Sequence, residues 1–243
     1  MSNMLARIKR KVGAKWNIDI APRYSPIVRS LRRFEADLQS ILEIGSGNTG
    51  ISPYLKDVKP VGVDVSFNGE INDNLKPVIA SAVKLPFSDN SFNCVISVDM
   101  LEHVDVNSRK AAVSEMLRVA RKAIFVGFPS GRLSREEDLS LDNIYLRERG
   151  ERFQFLKEHL DNEYPGENEM DDFLSECSLN GKVGSYIKVK NVNLRLHHFL
   201  MRLWISKNRM LNALYLAAYF LTPILARINF GECYRNIYII QLR

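Results

Sequence analysis

Ile41-Leu42-Glu43-Ile44-Gly45-Ser46-Gly47-Asn48-Thr49-Gly50 is an apolar run, interrupted only by Glu43, that breaks into a glycine-rich turn. A helical pattern follows from Ile51 to Leu55. Strand, tight loop and helix start make the first βα unit of a nucleotide-binding α/β domain. Gly45 and Gly47 carry no Cβ, so the backbone can turn sharply and a ligand can come close. A helix N-terminus beyond the loop offers N–H groups to a polar ligand. The bland alternative is an ordinary glycine turn that holds nothing.

Gly45, Gly47 and Gly50 satisfy G-x-G-x-x-G, a pattern shared with NAD and FAD binders. Glu43 separates the candidates. It stands two residues before the first glycine, where a dinucleotide would bring its doubly charged pyrophosphate, and a carboxylate there repels phosphate. S-adenosylmethionine (SAM) has no phosphate and carries a sulfonium and an ammonium, both favoured by a nearby carboxylate. E-x-G-x-G therefore reads as SAM more readily than as NAD.

A chain of 243 residues suits one sizeable α/β domain with embellishments. Hydrophobic content of 46% supports a packed core and argues against disorder. Cys94, Cys177 and Cys233 lie far apart, without C-x-x-C spacing. They form neither a zinc site nor a disulfide framework, which points to a reducing, cytoplasmic compartment. The net charge of +6, from 34 basic against 28 acidic residues, is a mild bias towards anionic partners or a membrane surface and not a nucleic-acid footprint.

Val61-Gly62-Val63-Asp64-Val65 reads as a second strand ending in an acid. Gly45 and Asp64 lie about 20 residues apart, the spacing at which a carboxylate reaches the ribose hydroxyls of a nucleoside. Phe67 to Lys76 is a loop rich in Asn, Gly and Asp, and Pro77 to Ala80 a short third strand. Then comes the run from Ser81-Ala82 through Leu85-Pro86-Phe87-Ser88-Asp89-Asn90-Ser91-Phe92-Asn93 to Val98-Asp99-Met100-Leu101-Glu102-His103-Val104.

This run resembles the small-molecule branch of the class I SAM-dependent methyltransferases, the methyltransferase type 11 group. In that family L-P-F-x-D-x-S-F-D leads into the fourth strand and then L-E-H-V. The likeness covers the core from about Ile41 to Pro129. It implies a Rossmann-like, seven-stranded, mostly parallel sheet with an antiparallel last strand. It also implies that the loop of Gly45, Ser46 and Gly47 holds the methionine moiety, with Val98 lining that side, while Glu43 is read as cofactor-binding from its charge. Asp64 would meet the ribose, and Ser81 and Ala82 the adenine edge, with Val65 a further cofactor-binding residue. The family usually carries Asp at Ser81; a neutral acceptor there makes a hydrogen bond roughly half as strong. Asn93 for Asp is a second departure.

Asn107 to Lys122 reads as an amphipathic helix with Ala111, Met116 and Val119 inward, and its Glu115-x-x-Arg118 fits the family pattern. Ala123 to Pro129 is a fifth strand, apolar enough to be buried on both faces. Met1 to Trp16 carries Leu5, Ile8 and Val12 at helical spacing among basic residues, read as a solvated cap or as a helix on an anionic membrane. Tyr24 to Leu38 is a second helix opening at Ser25-Pro26. Arg132 to Arg152 is polar and expected as a loop over the pocket mouth. Phe153 to Leu160 reads as a helix or lid. Asn168 to Leu179 is a capped helix, Val183 to Val192 the sixth strand and Tyr234 to Leu242 the closing one. The expected organisation is N-terminal helices over 1–40, a SAM-binding core over 41–192, an apolar helical hairpin inserted over 193–231, and the closing strand over 232–243. The second hairpin helix is apolar almost all round and must bury against something: its own domain, a second copy, or a lipid surface with Arg202, Lys207, Arg209 and Arg227 as anchors.

Methyl transfer is an in-line displacement in which the protein chiefly aligns donor and acceptor. A hydroxyl acceptor calls for a base. His103, after the fourth strand, is the first candidate, against a loop-capping role; His159 beside Glu158 is the second. His197 and His198 are adjacent on a helix, face different ways and read as structural, and no ligand spacing argues for a metal. The turn after the fourth strand lacks the Asn/Asp-Pro-Pro-Tyr/Phe of nucleic-acid amine methyltransferases, and Cys94 lies within a strand rather than on a nucleophile loop. The expected acceptor is a small molecule, a sugar or a lipid-linked intermediate, with O-methylation favoured. A SAM-binding scaffold without turnover is the alternative, supported only by Ser81. An NAD-dependent oxidoreductase is opposed by Glu43 and by the L-P-F to L-E-H-V run.

Overall fold

The computed structural model describes residues 18, 20–32, 40–55 and 57–243. Among them, seven strands form one sheet: β1 Ile41–Ile44, β2 Val61–Asp64, β3 Lys76–Ile79, β4 Phe92–Val98, β5 Ala120–Pro129, β6 Val183–Asn193 and β7 Cys233–Leu242. Their order is β3-β2-β1-β4-β5-β7-β6. β1 pairs in parallel with β2 and with β4, β2 with β3, and β4 with β5, while the last strands run antiparallel. The expected Rossmann-like α/β sheet is present. The order reverses between β1 and β4, so the crevice beyond their C-terminal ends is where an open α/β sheet holds its ligand.

Every residue of β1 and of β4 is buried, as central parallel strands require. The lateral strand β3 is short and mostly exposed. Pro77, which cannot donate to a ladder, is tolerated in it for that reason.

The described helices are α1 Ala21–Leu31, α2 Val106–Val119, α3 Gly131–Arg149, α4 Gln154–Asp161, α5 Glu167–Leu179, α6 Leu194–Ile205 and α7 Arg209–Leu225. The reading of Met1 to Trp16 lies outside the described residues. Of the helix expected over Tyr24 to Leu38, residues 33–39 lie outside as well. The described part starts earlier, at Ala21, and contains Pro26. Pro26 has no N–H to give the Pro22 carbonyl one turn back. The Asn191 side chain donates to that carbonyl instead, at 2.8 Å.

Three expectations change. The helix read after the glycine loop is a single 3-10 turn, Ser52–Tyr54. The crossover must return to Val61 within a short span, and the Asn74 amide lies within 3.1, 2.6 and 3.2 Å of the Ser52, Leu55 and Val58 carbonyls, where helical N–H groups would otherwise serve. Arg132 to Arg152 is a helix over most of its length, not a loop. Its buried residues include Ser134, Glu137, Asp138, Leu141 and Asp142, so the helical stripe exists but is written in polar side chains. Ala111 is exposed, and Ala112 and Val113 face inward in its place.

The chain divides into two compact units. One comprises Ile27–Phe128, Pro165–Val189 and Ile237–Arg243. Its core includes Ile44, Val95, Met116, Ile124, Phe128 and Tyr238. The other comprises Pro129–Tyr164, Lys190–Asn236 and the described part of 1–26. There Leu203 packs with Tyr215 and Tyr219, joining α6 to α7 as a hairpin, and Leu141, Leu156 and Ile205 form a second small cluster.

Candidate cofactor site

β1 ends at Ile44 and the chain turns at once, with Gly45 at φ +73°. The Gly45 and Ser46 amides donate to the Val63 carbonyl at 2.8 and 3.2 Å, which pins the loop to β2. On its other side the loop meets Met100, the second residue after β4: a Cβ at Gly45 would lie 2.6 Å from Met100 Cγ. The turn after β1 thus touches the turn after β4 only because position 45 has no side chain.

Glu43 is fully buried and its Oε2 accepts the Ile51 amide at 2.7 Å. A side chain at Gly50, φ +49°, would collide with the same oxygen at 2.0 Å. The acid therefore holds the loop from within the protein.

Asp64 closes the other flank. Its Oδ2 accepts the Gly47 amide at 2.9 Å and its Oδ1 the Val65 amide at 2.8 Å. A carboxylate has about four acceptor positions, so two remain for hydroxyl donors. Above Gly47, no atom lies within 4 Å of where a Cβ would stand. Val65 and Ile79, the residue opposite Asp64 across the β2–β3 register, are 73% and 72% exposed. Two large apolar side chains in water beside a carboxylate suit the flat face of a nucleoside base. Ile79 was not singled out in the sequence.

Ser81 and Ala82 follow β3 in a tight turn closed by Lys84 N to Ser81 O at 3.1 Å. Ser81 Oγ accepts the Val83 amide at 3.4 Å, a weak bond that leaves its hydroxyl proton to be donated. The Leu85-Pro86-Phe87-Ser88-Asp89 segment is clamped onto α2. Glu115 Oε2 accepts the Leu85 amide at 2.8 Å, and Arg118 donates to the carbonyls of Phe87 and Leu85 and to Asp89. These bonds tie the L-P-F-x-D run to Glu115-x-x-Arg118 within the fold. Hydrogen bonding from Arg118 holds the Glu115 carboxyl below its ordinary range.

Val98 ends β4 and is buried; the next residue, Asp99, sits at φ +53°. A left-handed residue other than glycine at a strand end marks a constrained position. The sequence signal for it is that Asp tolerates this region better than most residues. His103 is exposed, on the 3-10 turn Leu101–His103. Cys94 is buried in β4, and burial pushes its thiol up to about 11, which fits no nucleophilic role.

His159 lies in the other compact unit, buried, with Nδ1 3.0 Å from Asp138 Oδ2. A carboxylate only accepts, so Nδ1 carries the proton in this pair. Tyr164 and Tyr234 also donate their hydroxyls to Asp138, and burial beside that acid pushes the Tyr234 phenol well up. His197 and His198, expected to face different ways, both come within 3.3 Å of the buried Glu137: their Nδ1 atoms reach one carboxylate. His197 in addition stacks on Tyr234 at 4.1 Å.

Residues 42–125 match a family described as "Methyltransferase domain", of the type 11 group. An uncharacterized protein of Methanocaldococcus jannaschii is 29% identical over 99 residues, which are 40% of this chain and 44% of that one. The chain thus spans less than half the length of that relative. Among solved structures, a SAM-dependent methyltransferase from Thermotoga maritima, described as a possible histamine N-methyltransferase, has a TM-score of 0.54 at 15% identity, covering 100% of both chains. Magnesium protoporphyrin IX methyltransferase from Synechocystis PCC 6803, solved with bound SAH, has a TM-score of 0.51 at 14% identity, covering 89% of this chain and 80% of that one. At such identity the likeness is one of fold. The glycine loop and the acid ending β2 lie within the stretch that matches the methyltransferase family, and the sheet that carries them is the fold shared with these structures.

Proposed function

We propose that this chain transfers a methyl group from SAM to a small-molecule, sugar or lipid-linked acceptor, with a hydroxyl oxygen as the favoured target. The observation that carries the reading is the Asp64 carboxylate bonded to the Gly47 amide at the β1–β4 switch point, with space above the glycine and acceptor positions to spare. SAM, when bound, supplies a methyl group already activated on a sulfonium.

The chain's own residues hold and orient. Gly45, Ser46 and Gly47 take the methionine part with Val98, Asp64 accepts from the ribose hydroxyls, and Val65, Ser81 and Ala82 receive the adenine. Glu43 acts from behind the loop, shaping it and opposing any phosphate that approaches. His103 is the proposed proton acceptor for an acceptor hydroxyl. It is exposed and two residues beyond Leu101, in the turn that follows β4. His159, held in one tautomer by Asp138, is the second candidate.

A methyl-release assay over a panel of hydroxyl-bearing small molecules, sugars and lipid-linked sugars tests the reading. Turnover that falls at least tenfold in His103→Ala, with SAM affinity unchanged, supports His103 as the base. Unchanged turnover in that variant removes it, and no turnover on any acceptor by a SAM-binding chain favours a non-catalytic scaffold.

A further inference from the structure

The helix α7 is apolar on both sides. One side packs Tyr215, Leu216 and Tyr219 inward. On the other, Met210, Leu214, Phe220, Leu221 and Ile224 face solvent, Met210 and Phe220 at 80% and 68% exposure. With Ala213 and Ala217 between them these positions fill an arc of roughly 120° at 100° per residue. No polar side chain interrupts it. An arc of this kind left in water is unfavourable for a soluble helix, whose outer face is ordinarily polar.

Charge identifies what covers it. From Asn191 to Gly231 the chain has no Asp or Glu, while Arg195, Arg202, Lys207, Arg209 and Arg227 are all exposed. Arg209 opens α7 and Arg227 lies just past its end, so the apolar arc is bracketed by cations. No helix of the described residues is long and apolar enough to cross a membrane. A second copy docked on this face would set like charges against each other, with no acid in the segment to pair them. We propose that α7 lies in the plane of an anionic bilayer surface, its Met210–Ile224 arc among the acyl chains and Lys207, Arg209 and Arg227 at the phosphate headgroups. The inference stands apart from the identity of the methyl acceptor.

Flotation of the full chain with vesicles tests it. The expected result is co-flotation with phosphatidylcholine vesicles containing phosphatidylglycerol, little with phosphatidylcholine alone, and release by high salt. Phe220→Glu with Leu221→Glu is expected to abolish flotation. Arg209→Glu with Arg227→Glu should weaken it by on the order of fivefold per residue or more. All four positions are on the exposed side, and circular dichroism with SAM binding checks that the variants fold. Should the glutamates fail that check, Phe220→Ser with Leu221→Ser replaces them. Three results overturn the proposal: a parent that never floats, as when a second copy or residues 1–17 of the same chain cover the arc; flotation indifferent to anionic lipid; or variants that float like the parent.

Discussion

Glu43 Oε2 accepts the Ile51 amide at 2.7 Å, so an acid within β1 holds the far end of the loop that follows the strand. Glu43→Ala leaves a buried N–H without this acceptor, which costs about 1–3 kcal/mol. Urea melts are expected to show that loss together with weaker SAM binding, and Glu43→Gln, which keeps an acceptor oxygen, should recover part of both. An alanine variant as stable as the parent would mean that the bond does not anchor the loop.

Gly50 and Gly47 share positive φ, at +49° and +51°, but not their surroundings. Alanine at either position carries the left-handed penalty of about 1–2 kcal/mol. At Gly50 it also strikes Glu43 Oε2, whereas at Gly47 nothing lies within 4 Å. Gly50→Ala should therefore be clearly the less stable of the two in thermal or urea unfolding. Equal losses would contradict the placement of Glu43 beneath Gly50.

Glu115 links stability to pH. Arg118 holds its folded-state carboxyl below 4.5, the ordinary value. A lowered folded value means that the unfolded chain takes up the proton first. The contribution of the pair is complete above about pH 4.5 and fades as pH falls through the lowered value. Glu115→Gln should thus lose less of its own stability between pH 7 and pH 3 than the parent does. An identical acid dependence in parent and variant would show the pair to be inert.

Ser81 stands where the sequence resemblance leads one to expect Asp. Restoring the acid, Ser81→Asp, replaces a neutral acceptor with a charged one, roughly twice as strong. SAM affinity is expected to rise by about fivefold, as one extra kcal/mol implies. Calorimetric titration of the variant checks this, and an unchanged or lower affinity would place the adenine edge elsewhere.

The sheet was legible in the sequence because its central strands are mostly apolar runs and because Gly45 and Asp64 fall at strand ends. The hairpin of α6 and α7 was legible for the same reason: length and apolar content. What escaped had no hydrophobic signature. Helix α3 buries Ser134, Glu137, Asp138 and Asp142 with a single leucine among them, so a search for apolar periodicity finds a loop. Where a helix is expected after the glycine loop, three carbonyls instead lie within hydrogen-bond reach of the Asn74 amide, some 20 residues away in sequence. The pairing of His159 with Asp138, and of two adjacent histidines with Glu137, joins segments that sequence spacing alone does not bring together. In the candidate site, Asp64 and the glycine loop, both singled out in the sequence, lie side by side, joined by the Gly47–Asp64 bond. Ile79 escaped because its exposure is a property of the lateral position of β3, not of its residue type.

Isothermal titration of the full chain with SAM and with NAD, on the parent and on Asp64→Ala, reaches the central claim. SAM should bind the parent and NAD should not. Removing a charge-assisted acceptor worth about 1.5–3 kcal/mol should weaken SAM binding by at least tenfold. A parent that takes up NAD and ignores SAM, or an Asp64→Ala variant that binds SAM as tightly as the parent, would contradict the assignment of this loop and this acid to a phosphate-free nucleoside.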